Sequence, residues 1–165
     1  RNTLAPSKAL YNRLRDPLIG GARSALIKDV STPAKTDFYV QLLYWRSNND
    51  NPTYLFRLAE QYLIRSEARS KKETPDLVGA LADLNAVRNR SSIASFESTS
   101  REEILLAIEE ERRVEFAFEP HRWFDLVRTG RAGTVLGVND TQKWIFPIPY
   151  NDLAADPALV QNPGY

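Results

Sequence analysis

The stretch "EERRVEFAFEPHRWFDLVRTGR", Glu110 to Arg131, sets charged side chains among aromatic ones and holds the chain's one histidine, His121. Wound as a helix of about 3.6 residues per turn, it and the residues before it bring Ile104, Ile108, Glu111, Glu115 and Phe118 within roughly 40° of one line. Two carboxylates then sit in an apolar stripe, either as a catalytic pair or as part of a structural charge network. A retaining glycosidase needs carboxyl groups about 5–5.5 Å apart, a separation that i,i+4 neighbours can meet. Such enzymes, however, face the two groups across a cleft, whereas two glutamates one turn apart on a helix point the same way. Arg57, Arg65, Arg88, Arg112, Arg113 and Arg122 offer planar forks that bind carboxylates bidentately. The expected arrangement is therefore a structural ion-pair network of Glu111, Glu115, Arg57, Arg88 and Arg122, with no catalytic residue.

Outward from this stretch, helical periodicity recurs. "TSREEILLAIEEERRVEFAFE" opens with Ser100 and Glu103 spaced as a capping box, and Pro120 should kink or restart the helix. "PHRWFDLVRTG" reads as a shorter helix closed by Gly130 at C′, with Trp123 and Phe124 expected in the core. Upstream, residues 54–70 align Leu55, Leu58, Ala59, Tyr62, Leu63 and Ser66, with Pro52 suiting the helix start. Residues 76–90 align Leu77, Ala80, Leu81, Leu84 and Val87, with Thr74 or Asp76 as cap. The two helices resemble a tetratricopeptide unit with a long turn: Ala59 precedes Tyr62 as the small and aromatic positions do in that repeat's first helix.

The ends are less regular. "SKALYNRLR" is a short helix capped by Ser7, "IGGARSALIKDVSTPAKT" reads as loop, and "DFYVQLLYWR" as a strand with imperfect alternation. The tail, with Pro147, Pro149, Pro157 and Pro163, reads as an extended strap held by burial of Trp144, Phe146 and Ile148, each worth roughly 1.5–3 kcal/mol. The whole is expected to be one all-α domain over 1–165. It divides into an irregular lead-in (1–53), a helical core (54–131) and an extended tail (132–165).

With 165 residues, 42% of them hydrophobic and 26% charged, the composition is that of a globular domain. A net charge of +1 gives no basis for nucleic-acid binding. Without cysteine there is no disulfide or thiolate site, and a zinc site would rest on carboxylates and His121 alone; neither metal nor cofactor is expected. No apolar run approaches the ~20 residues that span a bilayer. The chain starts at Arg1 without methionine or signal peptide, as a processed or truncated product would. His121 has no serine motif, second histidine or metal-ligand spacing beside it, so helix-start packing is its expected role. Trp45 is the candidate for ligand binding, since an exposed indole can stack on a sugar.

The segments "RLAEQYLIRSEA" (57–68), "ALADLNAVRNR" (80–90), "ERRVEFAFEPHRWFDLVRTGR" (111–131), "FPIP" (146–149) and "NPGY" (162–165) occur in this order. Together they resemble the C-terminal part of the SusD/RagB family of outer-membrane nutrient-binding proteins, over roughly residues 54–165. Residues 1–53 carry none of these motifs. The resemblance implies an all-α fold of tetratricopeptide-like helical hairpins, an irregular extended N-terminal segment and a C-terminal strap. It further implies a non-catalytic surface lipoprotein that binds an oligosaccharide or peptide and passes it to a SusC-like TonB-dependent transporter. Family members are several times longer, so the chain is expected to be a C-terminal fragment of a longer SusD-like protein. Where the family usually has glycine this chain has Pro120, and the turn after Glu119 is expected to differ. Two other classes compete: a tetratricopeptide-like interaction scaffold without sugar binding, and a helical glycosidase using Glu111 and Glu115.

Overall fold

The computed structural model describes residues 5–44 and 53–165; Trp45 and Pro52 lie outside them. The chain divides into two units, Arg1–Glu119 and Pro120–Tyr165. In the first, α1 (Lys8–Arg15) starts at Ser7, whose hydroxyl accepts the N–H of Leu10. The segment read as loop is more ordered than its glycines suggest. Gly21–Leu26 forms a 3-10 turn, and β1 (Ile27–Asp29) pairs antiparallel with β2 (Tyr39–Gln41), Lys28 opposite Val40. Gly21, at φ +54, is required there, because a Cβ would stand 2.2 Å from the carbonyl oxygen of Ser91.

The helical core follows as α2 (Leu58–Lys71), α3 (Leu77–Arg90) and α4 (Arg101–Glu115). Asp76 caps α3 by accepting from Gly79 N–H. On α4 the Ser100 hydroxyl accepts the N–H of Glu103. The other half of the box is relayed: Ser100 N–H donates to Ser98 Oγ, and Ser98 donates to the Glu103 carboxylate. The α2–α3 hairpin packs closely because Ser66 is small and buried, with its hydroxyl donating to Ala80 O at 2.7 Å.

Two apolar clusters meet on α4. Ile104 and Ile108 join Ala59, Leu63, Ala80, Leu84, Val87 and Phe116. Val114 joins Leu14, Ile27, Tyr39 and Ala117. Fully buried Leu14, Leu63, Leu84, Ile104 and Ile108 each contribute roughly 1.5–3 kcal/mol.

Three expectations need correction. Helix α2 starts at Leu58 rather than Tyr54, because Arg57 is extended at φ −133; Leu55 and Leu58 consequently lie outside the core, 74% and 72% exposed. Helix α4 ends at Glu115, before Pro120 could act. Phe116 is its C-cap, and Phe118 leaves the stripe in the left-handed region at φ 73. Packing of Phe118 against the second cluster offsets the strain of that conformation.

In the second unit, α5 (Arg122–Arg128) is closed by Thr129 and then Gly130 at φ +71. Helix α6 (Ala132–Leu136) and a 3-10 turn at Thr141–Trp144 follow. Contrary to the core reading, the buried residues of α5 are Asp125 and Leu126, while Phe124 is exposed and Trp123 half-buried.

The tail is not extended throughout, since it carries α7 (Tyr150–Ala155). Its order rests less on burial than expected: Phe146 is 62% exposed, with its ring 6.2 Å from Trp123 and 6.3 Å from Phe124. Hydrogen bonds tie it instead. The Gln161 amide both accepts from Ile148 N–H and donates to Ile148 O, Asn162 donates to Phe146 O, and the Tyr165 hydroxyl donates to Ile145 O. The fold is all-α with a tetratricopeptide-like hairpin, an irregular lead-in and a C-terminal strap.

Candidate functional site

Helical spacing stacks Glu111 and Glu115 one turn apart on α4, and the long-range fold brings four arginines to them. Arg23, on the 3-10 turn and 5% exposed, donates from Nε to Glu115 Oε2 at 2.8 Å and from Nη2 to Glu111 Oε1. Arg57 donates from Nη1 to Glu115 Oε1 at 2.6 Å. It also grips Glu119 bidentately, Nη2 at 2.7 Å and Nε at 3.1 Å. The same Nη2 donates to Glu115 O at 2.9 Å, so one guanidinium also satisfies a carbonyl at the C-terminus of α4. From α3, Arg88 donates to Glu111 Oε2 at 3.2 Å and Arg90 to Glu115 Oε1 at 2.6 Å. Arg57 also lies 4.9 Å from the Phe116 ring centroid, a cation–π contact.

The two glutamates titrate in opposite directions. Burial raises the Glu111 carboxyl above its ordinary value, against the pull of Arg23 and Arg88. Burial also opposes ionisation of Glu115, but the hydrogen bonds from Arg57 and Arg90 and the charge of Arg23 outweigh it and hold its pKa down. A raised carboxyl is what a general acid requires. Glu111, however, is 1% exposed and each of its oxygens accepts from an arginine, so no glycosidic oxygen can reach it.

Acid unfolding should show this opposition. Glu115, lowered, contributes stability that is present above the unfolded carboxylate value near pH 4.3 and is lost as pH falls through its lower folded value. Glu111, raised, has the reverse sign: its contribution is present below the unfolded value and is lost as pH rises through the folded one. The slopes partly cancel, so Glu111→Gln should lose urea stability more steeply than the parent between roughly pH 6 and pH 3. An equal or shallower slope in the variant would contradict this assignment.

Of the residues expected to form the network, Glu111, Glu115, Arg57 and Arg88 come together in the first unit. Arg122 opens α5 in the second unit. Arg23, Arg90 and Glu119 complete the cluster without having been singled out for it. Arg90 follows Arg88 by two in "VRNR", a faint signal, whereas Arg23 is 88 and 92 residues from its partners and carries no local sign. A second set was also missed: buried Asp83 accepts from Arg65 at 2.8 and 2.6 Å and from Arg69 at 3.0 Å, joining α2 to α3. His121 is the N-cap of α5 and makes no side-chain capping hydrogen bond. Among the described residues no cluster of His, Cys, Asp and Glu could hold a metal ion, and no helix is long and apolar enough to cross a membrane.

The class that the fold defines is an all-α, tetratricopeptide-like protein with α4 pinned by a buried Arg–Glu cluster. The model of the SusD family matches residues 35–142, and the chain belongs to that family. The match starts upstream of the motif-bearing region, inside the segment that carries no motif, and stops short of "FPIP" and "NPGY".

A SusD-like protein, P38, of Formosa agariphila is 32% identical over 131 residues, covering 72% of this chain and 26% of that protein. The starch-binding protein SusD of Bacteroides thetaiotaomicron is 31% identical over 128 residues, 70% of this chain and 22% of that protein. The crystal structure of a SusD homolog from the same organism superposes with a TM-score of 0.75 at 24% identity, covering 95% of this chain and 38% of that one. The chain thus spans about a quarter of the length of the curated relatives it matches. The SusD family is one of binding proteins rather than enzymes, and its members are generally outer-membrane surface lipoproteins.

Proposed function

We propose that the protein to which this chain belongs binds a glycan or similar polymeric nutrient at the outer cell surface, without cleaving it, and hands it to a SusC-like TonB-dependent transporter. The observation that carries the reading is membership of the SusD family together with likeness to a starch-binding relative. The sealed state of Glu111 and Glu115 supports a role that is not hydrolytic. In this reading the ion-pair network is structural and α4 is the rod that aligns the hairpin. Sugar recognition through aromatic faces gives shallow, modest contacts. The expected affinity is therefore roughly micromolar, about −8 kcal/mol, with little dependence on salt.

The test is affinity capture from outer membranes with the tagged full-length protein, paired with a glycan array. A co-purifying TonB-dependent transporter and saturable glycan signals are expected. A soluble protein partner captured without any glycan signal would favour the interaction-scaffold reading, which the α2–α3 hairpin geometry also accommodates.

A further inference from the structure

A half-open cavity of about 250 Å³ lies beside the charge cluster, walled by Arg23, Arg57, Arg90, Glu115, Leu26 and Tyr54. Its volume falls below the roughly 300–1,000 Å³ of sites for drug-sized ligands; it suits one sugar ring or a small organic acid. The cluster behind it is short of negative charge. Among the described residues Arg23, Arg57, Arg88 and Arg90 face Glu111, Glu115 and Glu119, four cations against three anions.

The shortage shows at two places. Inside, Nη1 of Arg23 is buried with no acceptor among the described residues. At the mouth, Arg90 uses Nη2 for Glu115, while its Nε and Nη1 donate to no group among the described residues. Its side chain is 55% exposed, and Nη2 keeps a second hydrogen, which with the unused donor on the same side of the guanidinium leaves one edge as a fork within reach of a solute. A guanidinium edge with two parallel N–H donors matches the planar geometry of a carboxylate. Beside it, half-exposed Tyr54 and the side chain of Leu26 offer apolar surface for the rest of a ligand.

We infer that this cavity is a subsite for a carboxylate-bearing saccharide unit, with the acid group on Arg90 and the ring against Tyr54. The choice of a sugar acid over another small carboxylate rests on the nutrient-binding reading; the anion preference rests on the cavity alone. A carboxylate there brings the cluster to electrical balance. Its binding should weaken with added salt, in contrast to neutral glycan binding elsewhere on the protein.

The experiment is a titration of the 165-residue chain with glucuronate, followed by NMR amide shifts, with glucose and sulfate in parallel. Glucuronate should saturate at roughly millimolar concentration, as expected for so small a ligand, while glucose and sulfate should not. Arg90→Gln should weaken it about tenfold or more, and Tyr54→Ala, which removes no charge from the cluster, should weaken it several-fold while its thermal melt stays well above that of Glu115→Ala. Lys71→Gln removes an equal charge from outside the cavity and should leave binding intact.

No saturable glucuronate shift, equal binding of glucose or sulfate, or full binding by Tyr54→Ala would each overturn the subsite. The two readings fail separately. A full-length protein that binds neutral oligosaccharides but not glucuronate loses the subsite and keeps the nutrient role. One that binds glucuronate and no oligosaccharide keeps the subsite and loses the nutrient role.

Discussion

Glu115→Ala should destabilise the chain by about 3–5 kcal/mol, the usual result of breaking a buried ion pair from one side. Its carboxylate is 2% exposed and holds Arg23, Arg57 and Arg90 at once. The three arginines will not suffer equally. Arg90, half in water, can rehydrate, and Arg57 keeps Glu119. Arg23 is sealed and would retain only Glu111, so most of the loss comes from one uncompensated guanidinium. For a domain of this size the thermal midpoint should fall by roughly 10 °C or more. A melt indistinguishable from the parent would show that the cluster does not hold the fold.

Removing Arg23 should reveal how strongly the cluster is coupled. Arg23→Met and Glu111→Leu should each cost about 3–5 kcal/mol, because each strands a charge in a low-dielectric interior. The double variant strands less and fills the space with apolar atoms, so its loss should fall short of the sum by up to about 3 kcal/mol. Urea denaturation of the parent, both single variants and the double variant yields the coupling directly. Additivity within about 0.5 kcal/mol would mean that Arg23 and Glu111 do not act on one another.

These effects also explain which parts of the structure could be read from sequence. Local features were legible: the caps at Ser7, Asp76 and Ser100, the α3 face of Ala80, Leu84 and Val87, and the placement of Glu111 and Glu115 beneath Ile104 and Ile108. Each is settled within about three helical turns. Features set by distant residues were not. Helix α2 begins late because Arg57 must stay extended to reach Glu115 and Glu119, some sixty positions away. Helix α4 stops early at the same contact, where Arg57 takes the Glu115 carbonyl and faces the Phe116 ring, and Phe118 then turns left-handed.

Arg23 shows the same limit most plainly. Its neighbours "GGARSAL" read as loop, and nothing within that loop announces two glutamates nearly a hundred residues later. In the tail, hydrophobic content suggested burial of Phe146, whereas polar side chains of Gln161, Asn162 and Tyr165 fasten its backbone. Composition alone could not distinguish the two ways of ordering an irregular segment. The candidate ligand residue Trp45 lies outside the described residues; the cavity residues Tyr54 and Arg90 emerged only once α3 and the lead-in were placed together.

In the proposed function the buried carboxylates maintain the fold of a protein that binds glycan without cleaving it. The most direct measurement is calorimetry of the full-length protein with a glycan selected on the array, followed by assay of the same sample for newly formed reducing ends. Saturable heat with a roughly micromolar Kd and no reducing ends are expected from both the parent and Glu111→Gln. Reducing ends released by the parent and abolished in Glu111→Gln would contradict it.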